Sequence, residues 1–312
     1  VTPPITDPGG AMPVALLCQV PVVSDAAPGS FNAGAEQIEA VLTPHTRAIV
    51  VAHIAGEPAD MDPILELAQA RGIPIVEDCA QAHGALYKGR MVGTFGDIAA
   101  FSTMSGKHHA TGPQGGVVFT RDEALVWESK RFSDRGKPFN TEATSNWRAG
   151  LNLNGNDLSA AIGRVQLRRI VAMNDRRHQV AAQIEEGIAG LKAVRLGWQA
   201  EQTQGVYWFM RFHVDVDKLT VDKDSFAKAV AAEGVPVSAS YRYIPSEAIW
   251  FKERNVFPGS DYPWGLPAYQ GDRNAAFPCP NAVESAERHC VMSIHENWGE
   301  QEVADVVAAL AK

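Results

Sequence analysis

The sequence predicts an α/β protein built on a mostly parallel central sheet, with a smaller α/β domain at the C-terminal end. Three observations carry this. Short β-branched runs alternate with helical patterns in the first half. One long amphipathic stretch follows from Asn156. Beyond it, strand and helix patterns resume in a shorter series.

RAIVVAHI, residues 47–54, is apolar on both faces, as a strand covered by helices should be. IAGEPAD reads as a turn. Asp62 followed by Pro63 reads as a helix start, with the carboxylate capping and the proline at the first helical position. PILELAQAR then closes at Gly72, which suits a left-handed C-terminal cap. IPIVED is a second buried strand, so the three pieces form one right-handed parallel β-α-β unit. DIAAFST at 97–103 and GVVFT at 116–120 are further strands. The stretch from Asn156 predicts one long helix or a helix pair, with apolar residues three and four apart. YWFMRFHVDV at 207–216 alternates like a half-buried strand, DSFAKAVAAEG at 224–234 reads as a helix and VPVSASY as a strand. Residues 244–282, rich in Pro, Gly and aromatics, read as an ordered irregular region, and EQEVADVVAALAK as a terminal helix. The predicted division is a large domain over 1–172 and a small one over 173–312.

Composition excludes several classes of function. The 312 residues are 46% hydrophobic and 21% charged, with a net charge of −8, an ordinary globular balance. No sustained basic run suggests a nucleic-acid surface; Arg168, Arg169, Arg176 and Arg177 are expected on a solvated helix face. The longest apolar stretch, residues 11–23, is broken by Pro13, Gln19 and Pro21 and is too short to span a membrane. Cys18, Cys79, Cys279 and Cys290 form no C-x-x-C pair, which predicts neither a zinc site nor a disulfide framework, and a reducing cytoplasm. No signal peptide is expected before the body.

Ligands of open α/β sheets collect at the carboxyl ends of the strands. Asp78 closes one strand and Lys107 lies just beyond another, so strand order alone brings an acid and an amine to one crevice. Pyridoxal 5'-phosphate chemistry needs that pair: an amine to join the cofactor aldehyde and a carboxylate to keep the pyridine nitrogen protonated. A Ser/His/Asp hydrolase lacks its G-x-S-x-G elbow here. His108 and His109, being adjacent, point in different directions and make a poor metal pair, while His53 and His83 are candidates either for the pocket wall or for the core.

HIAGEPADMD, VEDCAQAHGALYKGRMVGTFGD, FSTMSGKHHATGPQGG and GLNLNGNDLSAAIGRVQL, in this order and spacing, resemble the DegT/DnrJ/EryC1/StrS family of PLP-dependent sugar aminotransferases. EGVPVSASY and SIHENWGEQEV agree more loosely. The resemblance implies the PLP-dependent transferase fold type I and transfer of an amino group from glutamate or glutamine to a keto group of a nucleotide-linked sugar or cyclitol. It implies Lys107 as the lysine bonded to the cofactor and Asp78 as the partner of the pyridine nitrogen. Gln81 would stand near the phenolic oxygen, and Ser102, five residues before the lysine, would meet the phosphate. Asn152 would reach the cofactor phosphate of a neighbouring subunit, which implies a homodimer with shared active sites.

A related branch carries histidine at the lysine position and dehydrates its sugar instead. Counting back from Gly115 and Gly116 puts Lys107, not His108, at that position, which favours transamination. Gln114 stands where the family usually has an acid, and Thr103 or Met104 where an aromatic is common. Family members also carry several tens of residues before the segment that begins here, including a phosphate-cradling helix N-terminus, so the resemblance implies that the N-terminal part of the large domain is missing. Two alternatives stay open: a family-like or truncated chain with a binding or regulatory role and no catalysis, and a PLP-dependent sugar dehydratase.

Overall fold

The computed structural model describes residues 1–312. Its central sheet has four strands in the order β1 (Ile49–Ala52), β2 (Ile75–Asp78), β3 (Ile98–Ser102), β4 (Gly116–Phe119). The first three are parallel, in the register Ala52 with Asp78 and Asp78 with Ala100; β4 returns antiparallel, with Gly116 opposite Ser102. Helix α1 (Met61–Arg71) is the crossover between β1 and β2. It starts one residue before Asp62: Asp60 is its N-cap, and the Asp62 carboxylate binds Lys88 Nζ at 2.5 Å rather than capping. The end is as expected, with Gly72 left-handed at φ 62°. Ile49, Val51, Ile64, Ile75 and Ala99 bury fully or nearly so between sheet and helix. Each such aliphatic side chain larger than alanine contributes about 1.5–3 kcal/mol.

Helix α2 (Glu123–Ser133) follows β4, capped by the Asp122 carboxylate on the Ala124 and Leu125 N–H groups. Helix α3 (Asp157–Ile188) is a single rod of 32 residues, capped by the Asn156 side chain on the Ser159 N–H. It runs unbroken past residue 172. Its C-terminal half packs Val180, Ala181, Ile184 and Ile188 into a second core. That core covers a four-stranded sheet, wholly antiparallel, built from β5 (Val194–Leu196), β6 (Met210–Val214), β7 (Val237–Ser238) and β8 (His289–Met292) in the order β7-β8-β6-β5. Helices α4 (Lys223–Ala232) and α6 (Glu300–Ala311) complete it, and α5 (Pro280–Arg288) leads into β8. No helix is long and apolar enough to cross a membrane.

The arginine row on α3 is not uniformly solvated. Arg168 and Arg169 are exposed, but Arg177 pairs with Glu296 at 3.0 Å and donates to the Tyr207 carbonyl at 2.8 Å, tying the helix to the small sheet. A second tie is deeper. Arg211 on β6 donates from Nε and Nη2 to Glu57 at 2.8 and 2.5 Å, both side chains being buried. Glu57 lies just after β1, so this pair fixes the small sheet against the edge where the central strands end.

Candidate active site

A cleft of about 1110 Å³ opens at the carboxyl ends of β1, β2 and β3. Asp78, Gln81, Ser102 and Lys107 all line it, together with Asp7, Gln114 and Trp208. Both Glu77 and Asp78 border the cleft, but the period of two along β2 sends their side chains to different sides of the strand, and Glu77 is fully buried among its own partners.

Glu77 is the more thoroughly satisfied acid. Its Oε1 accepts the N–H groups of Phe95 and Gly96 at 2.7 and 2.6 Å, and Oε2 accepts that of Gly93 at 2.7 Å. His53 completes the shell. The Ala59 N–H donates to Nδ1 of His53 at 3.0 Å, which leaves the proton on Nε2, 3.2 Å from Glu77 Oε2. Burial pushes the Glu77 carboxyl up, but the His53 hydrogen bond and the Gly96 and Gly93 N–H groups outweigh it and hold the group below its ordinary value. Glycine is required here: a Cβ on Gly93, at φ 86°, would meet Phe101 at 2.4 Å, and one on Gly96 would meet the Ile75 carbonyl at 2.8 Å. Cys79 sits beside His53 and Glu77, but with the histidine and the carboxylate already saturated this trio is a structural cluster rather than a metal centre.

Asp78 has one hydrogen bond, from the Ala80 N–H at 3.0 Å. Burial drives its carboxyl above the ordinary range, against that N–H and the charge of Lys107. Lys107 is pushed the opposite way: burial lowers its ammonium, and the charges of Asp78 and Asp7 resist. A desolvated acid and a desolvated amine therefore share one cleft, each short of partners. Lys107 stands on the loop after β3, and its Nζ lies 3.9 Å from the centroid of the Trp208 ring.

Gln81 is held at both ends: Oε1 accepts the Ala55 N–H at 2.7 Å and Nε2 donates to Tyr241 Oη at 3.0 Å. Ala55 is non-glycine backbone at φ 66°, a strained conformation that costs about 1–2 kcal/mol. The strain has a product, since the same residue's carbonyl accepts the Trp208 N–H at 2.9 Å. One turn thus orients Gln81 and Trp208 together. The Ser102 hydroxyl, at the end of β3, accepts only a long 3.4 Å contact from the Met104 N–H and keeps its proton free to donate.

These residues fit pyridoxal phosphate. Asp78 is an under-satisfied buried carboxylate suited to a cationic N–H, Lys107 an amine poised to lose its proton, and Ser102 a free donor for phosphate. Asn152 is elsewhere: it is exposed, outside the cleft, with Oδ1 accepting from Asn154 Nδ2 at 2.8 Å. His53 does border the cleft, with its ring tied to Glu77 and the Ala59 N–H. His83 and His108 are buried behind the lysine loop, 6.1 Å apart between ring centres, and neither lines the cleft. His109 turns to the Gly163 carbonyl at 3.0 Å while His108 turns to that of Val206, so the adjacent pair does diverge. Sequence reasoning did not single out Trp208 or Asp7; nothing local marks either, and Trp208 stands 102 residues from the Gly106 carbonyl to which it donates.

The chain belongs to the DegT/DnrJ/EryC1/StrS aminotransferase family, whose model matches residues 1–311. It is 35% identical over 204 residues to the dTDP-3-amino-3,4,6-trideoxy-alpha-D-glucose transaminase of Streptomyces venezuelae, a match covering 65% of this chain and 52% of that protein. With the GDP-perosamine synthase of Caulobacter vibrioides it shares 32% identity over 238 residues, 75% of this chain and 63% of the relative. The chain thus spans between about half and two thirds of these two relatives. Among solved structures, the aminotransferase from Psychrobacter cryohalolentis superposes with a TM-score of 0.83 at 29% identity, covering 99% of this chain and 79% of the other. DesV of S. venezuelae gives 0.82 at 27%, covering 99% and 76%. The fold is that of these aminotransferases.

Proposed function

We propose that this chain carries the catalytic cleft of a pyridoxal-phosphate-dependent aminotransferase that moves an amino group from glutamate or glutamine to a keto group of a nucleotide-linked sugar or cyclitol. The observation that carries the reading is the convergence of Asp78 and Lys107, both short of partners, in one cleft at the ends of the parallel strands. Relatives named for transamination of a dTDP-linked amino sugar and for synthesis of GDP-perosamine support the substrate class.

Asp78 would hold the ring nitrogen, Lys107 the aldehyde carbon, Ser102 the phosphate, and Gln81 the edge bearing the phenolic oxygen. Bound there, the cofactor supplies an electron sink for the pair left when a C–H bond of the amino donor breaks. Lys107 Nζ would take up the released proton as a base and give it back as an acid. Burial of the lysine eases its deprotonation, and the charges of Asp78 and Asp7 resist it. Gln81, held in place by Ala55 and Tyr241, would present a fixed side chain to the ring edge.

Asn152 serves a second subunit in this reading, which makes the working unit a homodimer; its exposure outside its own cleft is consistent with that use. We place the domain division at 172, inside α3, and the protein in a reducing cytoplasm, with which four free thiols agree.

The test is reconstitution with pyridoxal phosphate, borohydride reduction and peptide mapping. The cofactor is expected on the peptide holding Lys107, and none after Lys107→Ala. A label on another lysine, or no label, overturns the assignment.

A further inference from the structure

We propose that Trp208 is a positioning residue for Lys107, its indole face being the seat of the ε-ammonium whenever the lysine carries the proton, and its ring N–H fixing the loop from which the lysine reaches. The inference rests on the proton-carrying role of Lys107 and adds to it a residue from the small-domain side of the cleft.

Four contacts carry it. Nζ lies 3.9 Å from the indole centroid, well inside the range in which a ring quadrupole attracts a cation. The indole Nε1–H donates to the Gly106 carbonyl at 3.2 Å, next to the lysine and at a residue with φ 88°, where the loop turns. The Trp208 backbone N–H is anchored on the strained Ala55, which also holds Gln81. On its far side the ring packs near Phe209 and Tyr241, with centroids 5.4 and 6.2 Å away, and Tyr241 again meets Gln81. The indole therefore cannot swing away from Lys107 without disturbing Gln81 or the Gly106 turn.

The charges facing the lysine leave this task open. Asp78 and Asp7 favour the ammonium through charge alone. His83 and His108, buried behind the loop, are held neutral by burial, with the lysine's own charge adding to this, and Arg177 bears on His108 from α3, so neither imidazole offers the lysine a charge. Burial works against the ammonium as well. Among the groups that favour the charged lysine, only the indole face is in contact with it, and it favours the protonated amine without trapping it, since a π face accepts no proton.

The experiment is competitive labelling of Lys107 with acetic anhydride across pH, in the full chain without cofactor, read by mass spectrometry of the Lys107 peptide. Three proteins are compared with the parent: Trp208→Leu, Trp208→Phe, and one with trifluorotryptophan at 208 alone, which keeps the shape and weakens the negative face. The titration midpoint of Lys107 is expected to fall by about one pH unit in Trp208→Leu, and by less in Trp208→Phe and the fluorinated protein. An unchanged or raised midpoint in Trp208→Leu overturns the proposal. If Trp208→Leu does not fold, the fluorinated protein decides, and a midpoint equal to the parent's overturns it. This readout needs no cofactor, so a borohydride label on another lysine would end the functional reading while leaving the indole contact separately testable.

Discussion

The two faces of β2 carry adjacent carboxylates with opposite fates. Glu77 receives three backbone N–H groups and a histidine, and is held below its ordinary acidity range. Asp78, one residue on, receives one N–H and is pushed above it. Glu77 is the more buried by surface exposure and Asp78 only half-buried, yet Asp78 is the one pushed up, so the difference lies in partners rather than burial. A buried acid with every lone pair answered is there to build the fold; one left short at a cleft is there for something that arrives later.

The largest expected effect tests the cleft side. Asp78→Asn keeps the shape but removes the charge, and turnover of the reconstituted enzyme should fall by about 10³-fold, while thermal stability stays level or rises because a poorly satisfied carboxylate has gone. A melting temperature that collapses along with turnover would erase the distinction between the faces.

Glu77→Gln should behave in reverse. It leaves backbone N–H groups facing an amide that cannot accept them all, at a cost of about 3 kcal/mol in denaturant unfolding, with borohydride labelling of Lys107 retained in the folded fraction. The pH dependence sharpens the contrast. The folded pKa of Glu77 is depressed, so its contribution is present above the unfolded value and lost as pH falls. The folded pKa of Asp78 is raised, so its penalty is relieved as pH falls. The acid limb of the stability curve should therefore be shallower in Glu77→Gln and steeper in Asp78→Asn.

A smaller effect comes from behind the cleft. Burial lowers His83 from 6.5 to about 4, so the unfolded chain takes up a proton that the folded chain refuses. Stability is full above the unfolded value and declines as pH drops through the window down to about 4, by about 2 kcal/mol at pH ~5. His83→Phe should remove that share of the decline in urea titrations at several pH values; an unaltered acid limb would mean that the imidazole is already charged in the fold.

How much of this was legible beforehand differs by element. The β1-α1-β2 unit was readable because its signals are local: β-branched runs, a proline near the helix start and Gly72 at its end. The exact helix start was not, since neither carboxylate caps it: Asp60, the N-cap, accepts from the Tyr87 hydroxyl and Asp62 pairs with Lys88, both partners being distant in sequence. Helix α3 was readable as a pattern, yet only the structure shows one unbroken rod, packed along its C-terminal half while Leu158, Val165 and Val171 stay exposed. The antiparallel order of the small sheet was hidden, because β8 gains its neighbours from residues many positions away. Asp78 and Lys107 were found because strand direction sends both to one edge. Glu77 was passed over, since its partners are largely backbone groups that carry no sequence signal, and Trp208 because its partner on the lysine loop, Gly106, is 102 residues away.

By itself, then, the sequence determined the strand ends, the acid and the amine at them, and the family motif that relates them. Periodicity and chain direction act over a few residues and are written in residue type. Only the tertiary structure decided which of two neighbouring acids is left unsatisfied, which aromatic face meets the lysine, and which backbone turn is strained to hold it there. Those outcomes depend on distances between segments far apart in the chain, where desolvation and hydrogen-bond geometry are set by packing as a whole.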